Sequence, residues 1–147
     1  NKLWNTKIKK INNFLNNIIK LFPKKYQFNG KKVSFSVLLS NNKNIKKLNN
    51  RFRKKNKPTD VLSFPLENNT KRKKILYLGD IIISYEFINK PKSLKNLEFS
   101  EKLIKIFIHG FLHLLNYDHI KLKDYKKMYK EEVKIFNLLK KKIEILL

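Results

Sequence analysis

The segment "IHGFLHLLNYDH", Ile108 to His119, holds every histidine of a 147-residue chain: His109, His113 and His119. Neutral imidazole is the commonest side-chain ligand for transition metals, and here it is confined to eleven consecutive positions. On a helix His109 and His113 stand at i and i+4, with Cβ atoms on one face roughly 5–6 Å apart, so both rings reach one ion. Asn116 falls where that helix should end, and asparagine is the best non-glycine residue for the left-handed conformation that reverses a chain. A turn over "NYD" then swings His119 back as a third ligand. Three protein ligands leave the fourth tetrahedral position open, the arrangement of a catalytic zinc site, and Asp118 is placed to orient a ligand from behind. The chain has no cysteine, so histidine and carboxylate are the available ligands. The plainer alternative is three polar side chains satisfied by hydrogen bonds at a helix end, which is the usual fate of a lone histidine. Three at ligand spacing, with none elsewhere, favour one zinc ion.

The spacing is that of the metzincin peptidases, H-E-x-x-H-x-x-G-x-x-H, with Asn116 at the glycine position. Gly110 stands where those enzymes carry the glutamate that acts as general base. Ligation geometry is kept, while the proton carrier of peptide hydrolysis is missing.

The elements that position these residues follow from periodicity. Leu97 to Leu115 is apolar nearly all round, a helix buried on several sides, with Ser100 as its cap. A last helix from about Asp124 turns Met128, Phe136, Leu139, Ile143 and Leu146 inward. At the other end Trp4, Ile8, Ile11, Phe14 or Leu15, Ile18 and Phe22 predict one amphipathic helix ending before Pro23. "VSFSVLLS" alternates as a half-buried strand. A helix follows, capped by Asn41 or Asn42, with Ile45, Leu48 and Phe52 inward and Arg51 and Arg53 in its last turn. "VLSFP" and "ILYLGDIIIS" read as neighbouring strands joined by the basic linker "NNTKRKK", with Pro65 at an end or edge. Thr59 and Asp60 are expected to fix the start of the first of these, and Asp80 to be a buried hydrogen-bond acceptor. No interdomain linker interrupts residues 1–147, so one domain is expected.

Lys and Arg number 35 against 11 Asp and Glu, a formal charge of +24, which attracts polyanions, nucleic acid first. Composition tempers this: 32 Lys, 19 Asn, 17 Ile and no Ala are what A/T-rich codons produce in any protein. The basic N-terminal stretch is too interrupted by Lys and Asn for a signal peptide or membrane span, and a cytoplasmic address fits. The chain opens on Asn1 rather than methionine, so a few residues are expected before it.

"HGFLHLLNYDH" resembles the H-G-x-L-H-L-x-G-Y-D-H signature of the YbeY family of bacterial endoribonucleases. "LNNRFRKKNKPTDVLSFPLE", Leu48 to Glu67, resembles the family's L-N-x-x-Y-R-x-x-D-x-P-T-D-V-L-S-F-P, and "LGDIIIS" its L-G-D-I-x-I-S strand. The resemblance implies a compact α+β fold, a small mixed sheet packed with several helices and a metal site at the end of the buried helix. It implies one Zn2+ held by His109, His113 and His119, and no organic cofactor. The activity implied is a metal-dependent endoribonuclease of single-stranded RNA, maturing the 3′ end of 16S ribosomal RNA and serving ribosome quality control. The partners implied are ribosomal RNA and the small ribosomal subunit, with neither membrane nor DNA. It also implies an arginine facing the metal, matched by Arg53 as the catalytic residue. Read as chemistry alone, Arg53 is either one more solvated cation or a planar phosphate binder; it is one of three arginines among 32 lysines. The rival readings are an RNA-binding factor without catalysis, since no general base is evident, and a metallopeptidase, which Gly110 opposes. Asn116 for the family's glycine is conformationally tolerable, and Asn56 for its aspartate leaves the loop before Pro58 without an evident anchor.

Overall fold

Apolar residues at every second position make β1 (Lys32–Ser40) a strand with Val33, Phe35, Val37 and Leu39 turned to the core and Ser34, Ser36 and Leu38 exposed. The computed structural model describes residues 2–26, 32–66 and 75–147; the basic linker 68–74 lies outside them. β1 leads into α3 (Asn42–Arg53), capped by Asn41, whose side-chain oxygen accepts the Asn44 N–H at 2.9 Å. β2 (Val61–Pro65) and β3 (Ile75–Ser84) follow. β3 is the central strand, parallel to β1 and antiparallel to β2, so the three-stranded sheet is mixed in the order β1-β3-β2. Pro65 ends the edge strand β2 opposite Gly79. Gly79 has φ 132, and a Cβ there would lie 2.1 Å from the Phe64 carbonyl oxygen, so only glycine lets β3 pass.

The N-terminal segment is two helices rather than the single one its periodicity suggests: α1 (Lys2–Lys7) and α2 (Ile11–Lys20), followed by a 3-10 turn at Lys24–Tyr26. The chain bends at Lys10, which is left-handed with φ 52. A left-handed non-glycine residue costs about 1–2 kcal/mol. Trp4, Ile8, Ile11, Phe14, Ile18 and Phe22 are all buried in one cluster, at roughly 1.5–3 kcal/mol each, and that gain decides the bend. The same common destination explains why the pattern runs unbroken through the kink.

After β3 come a short α4 (Tyr85–Ile88), α5 (Asn96–Leu114) and α6 (Leu122–Leu146). Ser100 does not cap α5. It lies buried inside the helix with its hydroxyl donating to the Asn96 carbonyl, while Glu98 accepts the Lys95 N–H at 2.8 Å at the true start. α6 buries Met128, Ile135, Leu139 and Ile143 and packs Phe136 and Leu146 against the same core.

The sheet is covered on both faces. α1, α2, α5 and α6 build the large core with Ile81 and Ile83, while α3 closes a smaller one with Ile45, Leu62 and Ile82. Phe52 is not inward but 56% exposed, edge-on to Phe64 at 5.0 Å between ring centres. Among the described residues, then, one small α+β domain combines a mixed three-stranded sheet with six helices, and no helix is long and apolar enough to cross a membrane.

Candidate metal centre

α5 brings its last turn to the site because its N-terminal three-quarters is locked in the core, with Phe99, Leu103, Ile104, Phe107 and Ile108 fully buried. Gly110 permits the close seat on the sheet: a Cβ there would meet Ile81 Cγ2 at 2.9 Å and Val61 Cγ2 at 3.1 Å. Ser63 Oγ, on the same strand as Val61, donates to the Gly110 carbonyl at 3.0 Å. Position 110 therefore faces the sheet, and a glutamate base has no room on that side.

The helix ends as expected at Asn116, whose φ of 61 is left-handed. The Tyr117 N–H reaches back to the Leu112 carbonyl and the Asn116 N–H to the His113 carbonyl, each at 3.0 Å, which is the Schellman pattern. This reversal returns His119 to the helix end. The metal-binding nitrogens of His109, His113 and His119 all lie within 4.8 Å of one another, so the three could hold one ion.

Hydrogen bonds fix the orientation of two rings. His113 Nδ1 lies 2.9 Å from the Tyr117 carbonyl oxygen, which can only accept, so this nitrogen donates. His109 Nδ1 donates to Glu132 Oε1 at 2.7 Å. In the neutral rings both Nε2 atoms are then bare, and they face each other across 3.1 Å. Two lone pairs at that distance repel, and either a proton held by one ring and accepted by the other or a metal ion relieves this. Two nitrogens bound to a tetrahedral zinc at about 2.0–2.1 Å would be roughly 3.3 Å apart, so the observed pair fits such an ion. Burial holds the His113 pKa below its ordinary value, with the neighbouring His109 and the Arg53 guanidinium acting in the same direction. The ring thus stays in its neutral, ligating form to lower pH.

Arg53, at the end of α3, lines a cleft of about 740 Å³ together with Lys55, Ser63, His113, Asn116 and His119. Fold and turn thus bring the arginine, His113 and His119 to one opening. Asp118 takes a different part from the expected one: it is exposed, and its Oδ1 accepts the N–H of His119 at 2.7 Å, so it shapes the turn rather than orienting an imidazole. The group that does support a ring is Glu132, which sequence reasoning missed. A signal existed, since Glu132 sits on the stripe Met128, Ile135, Leu139 at helical spacing, an acid on an inward face.

The loop before Pro58 is anchored by Asn49, 97% buried, whose amide donates to the Lys57 carbonyl at 2.7 Å. Asp60 accepts from Thr59 Oγ1 and from the Val61 N–H, fixing the start of β2 as expected. Asp80 is an acceptor, taking the Tyr77 hydroxyl at 2.6 Å, but it is exposed rather than buried.

Fold and site define a class: small α+β proteins whose buried helix ends in a trihistidine site, able to hold a metal ion, at the mouth of a cationic cleft. The family described as Endoribonuclease YbeY matches residues 1–140. The Endoribonuclease YbeY of Pelagibacter ubique (strain HTCC1062) is 64% identical over 141 residues, 96% of this chain and 92% of that one. That of Ehrlichia canis (strain Jake) is 37% identical over 138 residues, 94% and 88% of the two chains. The solution structure of TM1509 from Thermotoga maritima shares the fold, with a TM-score of 0.51 at 28% identity over 91% of this chain and 81% of that one. This chain belongs to the YbeY endoribonuclease family.

Proposed function

We propose that residues 1–147 form one catalytic domain, a cytoplasmic zinc-dependent endoribonuclease that cuts single-stranded RNA. Its proposed substrate is the 3′ end of small-subunit ribosomal RNA, met on the small ribosomal subunit during maturation and quality control. Family membership supports the reaction, hydrolysis of RNA phosphodiesters. The observation that carries metal dependence is the convergence of three histidine nitrogens within 4.8 Å, with the Nε2 atoms of His109 and His113 3.1 Å apart.

His109, His113 and His119 would hold the ion, which when bound supplies Lewis acidity toward a phosphoryl oxygen or a water molecule. Glu132 and the Tyr117 carbonyl keep two imidazoles turned to the site. Arg53, on the same cleft, offers a planar fork to two oxygens of the reacting phosphate and stabilises charge as it develops there. Lys55 adds a cation for the RNA backbone. Peptide hydrolysis is disfavoured, because the residue after the first histidine faces Ile81 and Val61 rather than the cleft.

Protein purified without chelator is expected to carry about one zinc per chain, to cleave single-stranded RNA and to leave casein intact. Chelation should abolish cleavage and zinc should restore it, while His119→Ala should lose most of the metal. Full zinc occupancy in His119→Ala would refute the three-histidine site, and cleavage surviving complete metal removal would refute the mechanism. Precursor small subunits test the finer substrate: trimming at the 3′ end of their RNA is expected.

A further inference from the structure

A second recess lies behind His109, on the groove between α5 and α6. It has a volume of about 380 Å³ and is lined by Lys105, Ile108, Tyr129, Glu132, Phe136 and Asn137 among others. Glu132 is the partition. Its carboxylate forms one wall of the recess and accepts the His109 Nδ1 hydrogen at 2.7 Å, so one imidazole ring separates the recess from the nitrogens that face the candidate ion. We propose that this recess receives one unstacked nucleobase of the RNA, from a nucleotide beside the phosphate that lies at the histidines. The proposal rests on the reading of the chain as a single-strand ribonuclease.

The walls suit a flat neutral ring. Val133 and Phe136 supply apolar surface, and Tyr129 stands 54% exposed at the rim. Tyr125, 49% exposed, lies one helical turn away with its ring nearly parallel to that of Tyr129, 12° between planes and 6.0 Å between centres. Two exposed aromatic rings one helical turn apart are what a single strand uses as a stacking platform, because every base has a face to offer. Charge does not favour a phosphate there: the Glu132 carboxylate offsets the Lys105 ammonium, and an uncharged base is indifferent to both. Within the recess the Lys105 ammonium lies 4.6 Å from the centre of the Phe136 ring, and outside it exposed Lys126 and Lys130 stand next to the tyrosines. Those positions suit the backbone. A base within a duplex is stacked and cannot enter, so the recess would itself impose a single-strand requirement.

The test uses the metal-loaded full chain and an oligoribonucleotide cut at one site, in which a single abasic nucleotide is walked along the strand. In the wild type, one position near the cut is expected to weaken binding on the order of tenfold when its base is removed. That sensitivity should vanish in Tyr129→Ala and in Tyr129→Leu, which keeps apolar cover but has no π-face, and should survive in Tyr129→Phe. Metal content should be unchanged in all three. Equal tolerance of abasic sites along the strand, or undiminished sensitivity in Tyr129→Ala and Tyr129→Leu, would overturn the proposal. A wild type that neither binds nor cuts the intact oligonucleotide would refute the single-strand ribonuclease reading itself, and this recess with it.

Discussion

His109 commits one ring nitrogen to Glu132 and turns the other toward His113, so the carboxylate sets both the tautomer and the aim of a metal-binding ring. Replacing Glu132 should therefore act on the metal before it acts on the fold. Glu132→Ala is expected to weaken zinc affinity roughly 10–100-fold, with Glu132→Gln intermediate because it can still accept the hydrogen bond. Competition with a chromophoric chelator measures this, and wild-type affinity in Glu132→Ala would mean that the ring is held by other contacts. Arg53 poses a different question, charge or geometry. If its planar fork meets the reacting phosphate, Arg53→Lys should lose about 10²–10³ in single-turnover cleavage rate, with zinc and RNA affinity retained. Wild-type rates in Arg53→Lys would return the residue to the solvated surface. At this scale the sequence was legible wherever spacing along one helix decides geometry, as for His109 and His113. Glu132 was legible only as an acid on an inward stripe, and its partner was not, because the contact with His109 exists only where α6 crosses α5.

The turn after α5 is the element on which the third histidine depends. At φ 61, Asn116→Gly should be harmless, while the β-branched Asn116→Val is strained there and should misplace His119. The expected result is weaker zinc binding in Asn116→Val with thermal stability little changed; equal zinc affinity would show that the turn tolerates other backbones. A second element contact ties the segment after α2 to α6: Glu131 accepts from Lys25 and from the Tyr26 hydroxyl at 2.7 Å. The Lys25 hydrogen bond holds the Glu131 pKa below the ordinary glutamate value. Such a group contributes stability above its unfolded pKa of ~4.3 and loses it as pH falls through the lowered folded value. Glu131→Gln should thus lower Tm at pH 7, by no more than roughly 2–4 °C given the usual worth of a surface pair in a domain of this size. The gap should close in the acid limb of a thermal-unfolding series, and a gap that persists there would assign the effect to packing. Elements were legible where a cap or an alternation marked them, as at Asn41 and in β1. The bend at Lys10 was hidden because both helices feed one core, and α4, four residues long, is too short to show a period.

For the molecule as a whole the +24 charge is the hardest feature to read, since codon composition and RNA affinity both raise lysine. The fold divides the two. Arg53 and Lys55 line the cleft beside the histidines, whereas exposed Lys2, Lys9 and Lys10 belong to α1 and the turn after it, whose Trp4 packs on Phe99, ten residues and so about 15 Å along α5 from His109. Beyond a screening length of about 8 Å at physiological salt, charges on one region contribute little to phosphates held at another. Each phosphate neutralised on a single strand steepens the fall of log affinity with log salt by roughly 0.7. Arg53→Ala combined with Lys55→Gln should therefore flatten that slope by about 1.4 if both cations contact the strand. Gln at 2, 9 and 10 together removes more charge and should leave the slope as it was. Binding titrations of a short single-stranded oligoribonucleotide at several salt concentrations decide the matter. A slope that falls in proportion to charge removed, wherever it is removed, would mean that RNA is held by the diffuse basic surface, and that the cleft contributes position rather than affinity.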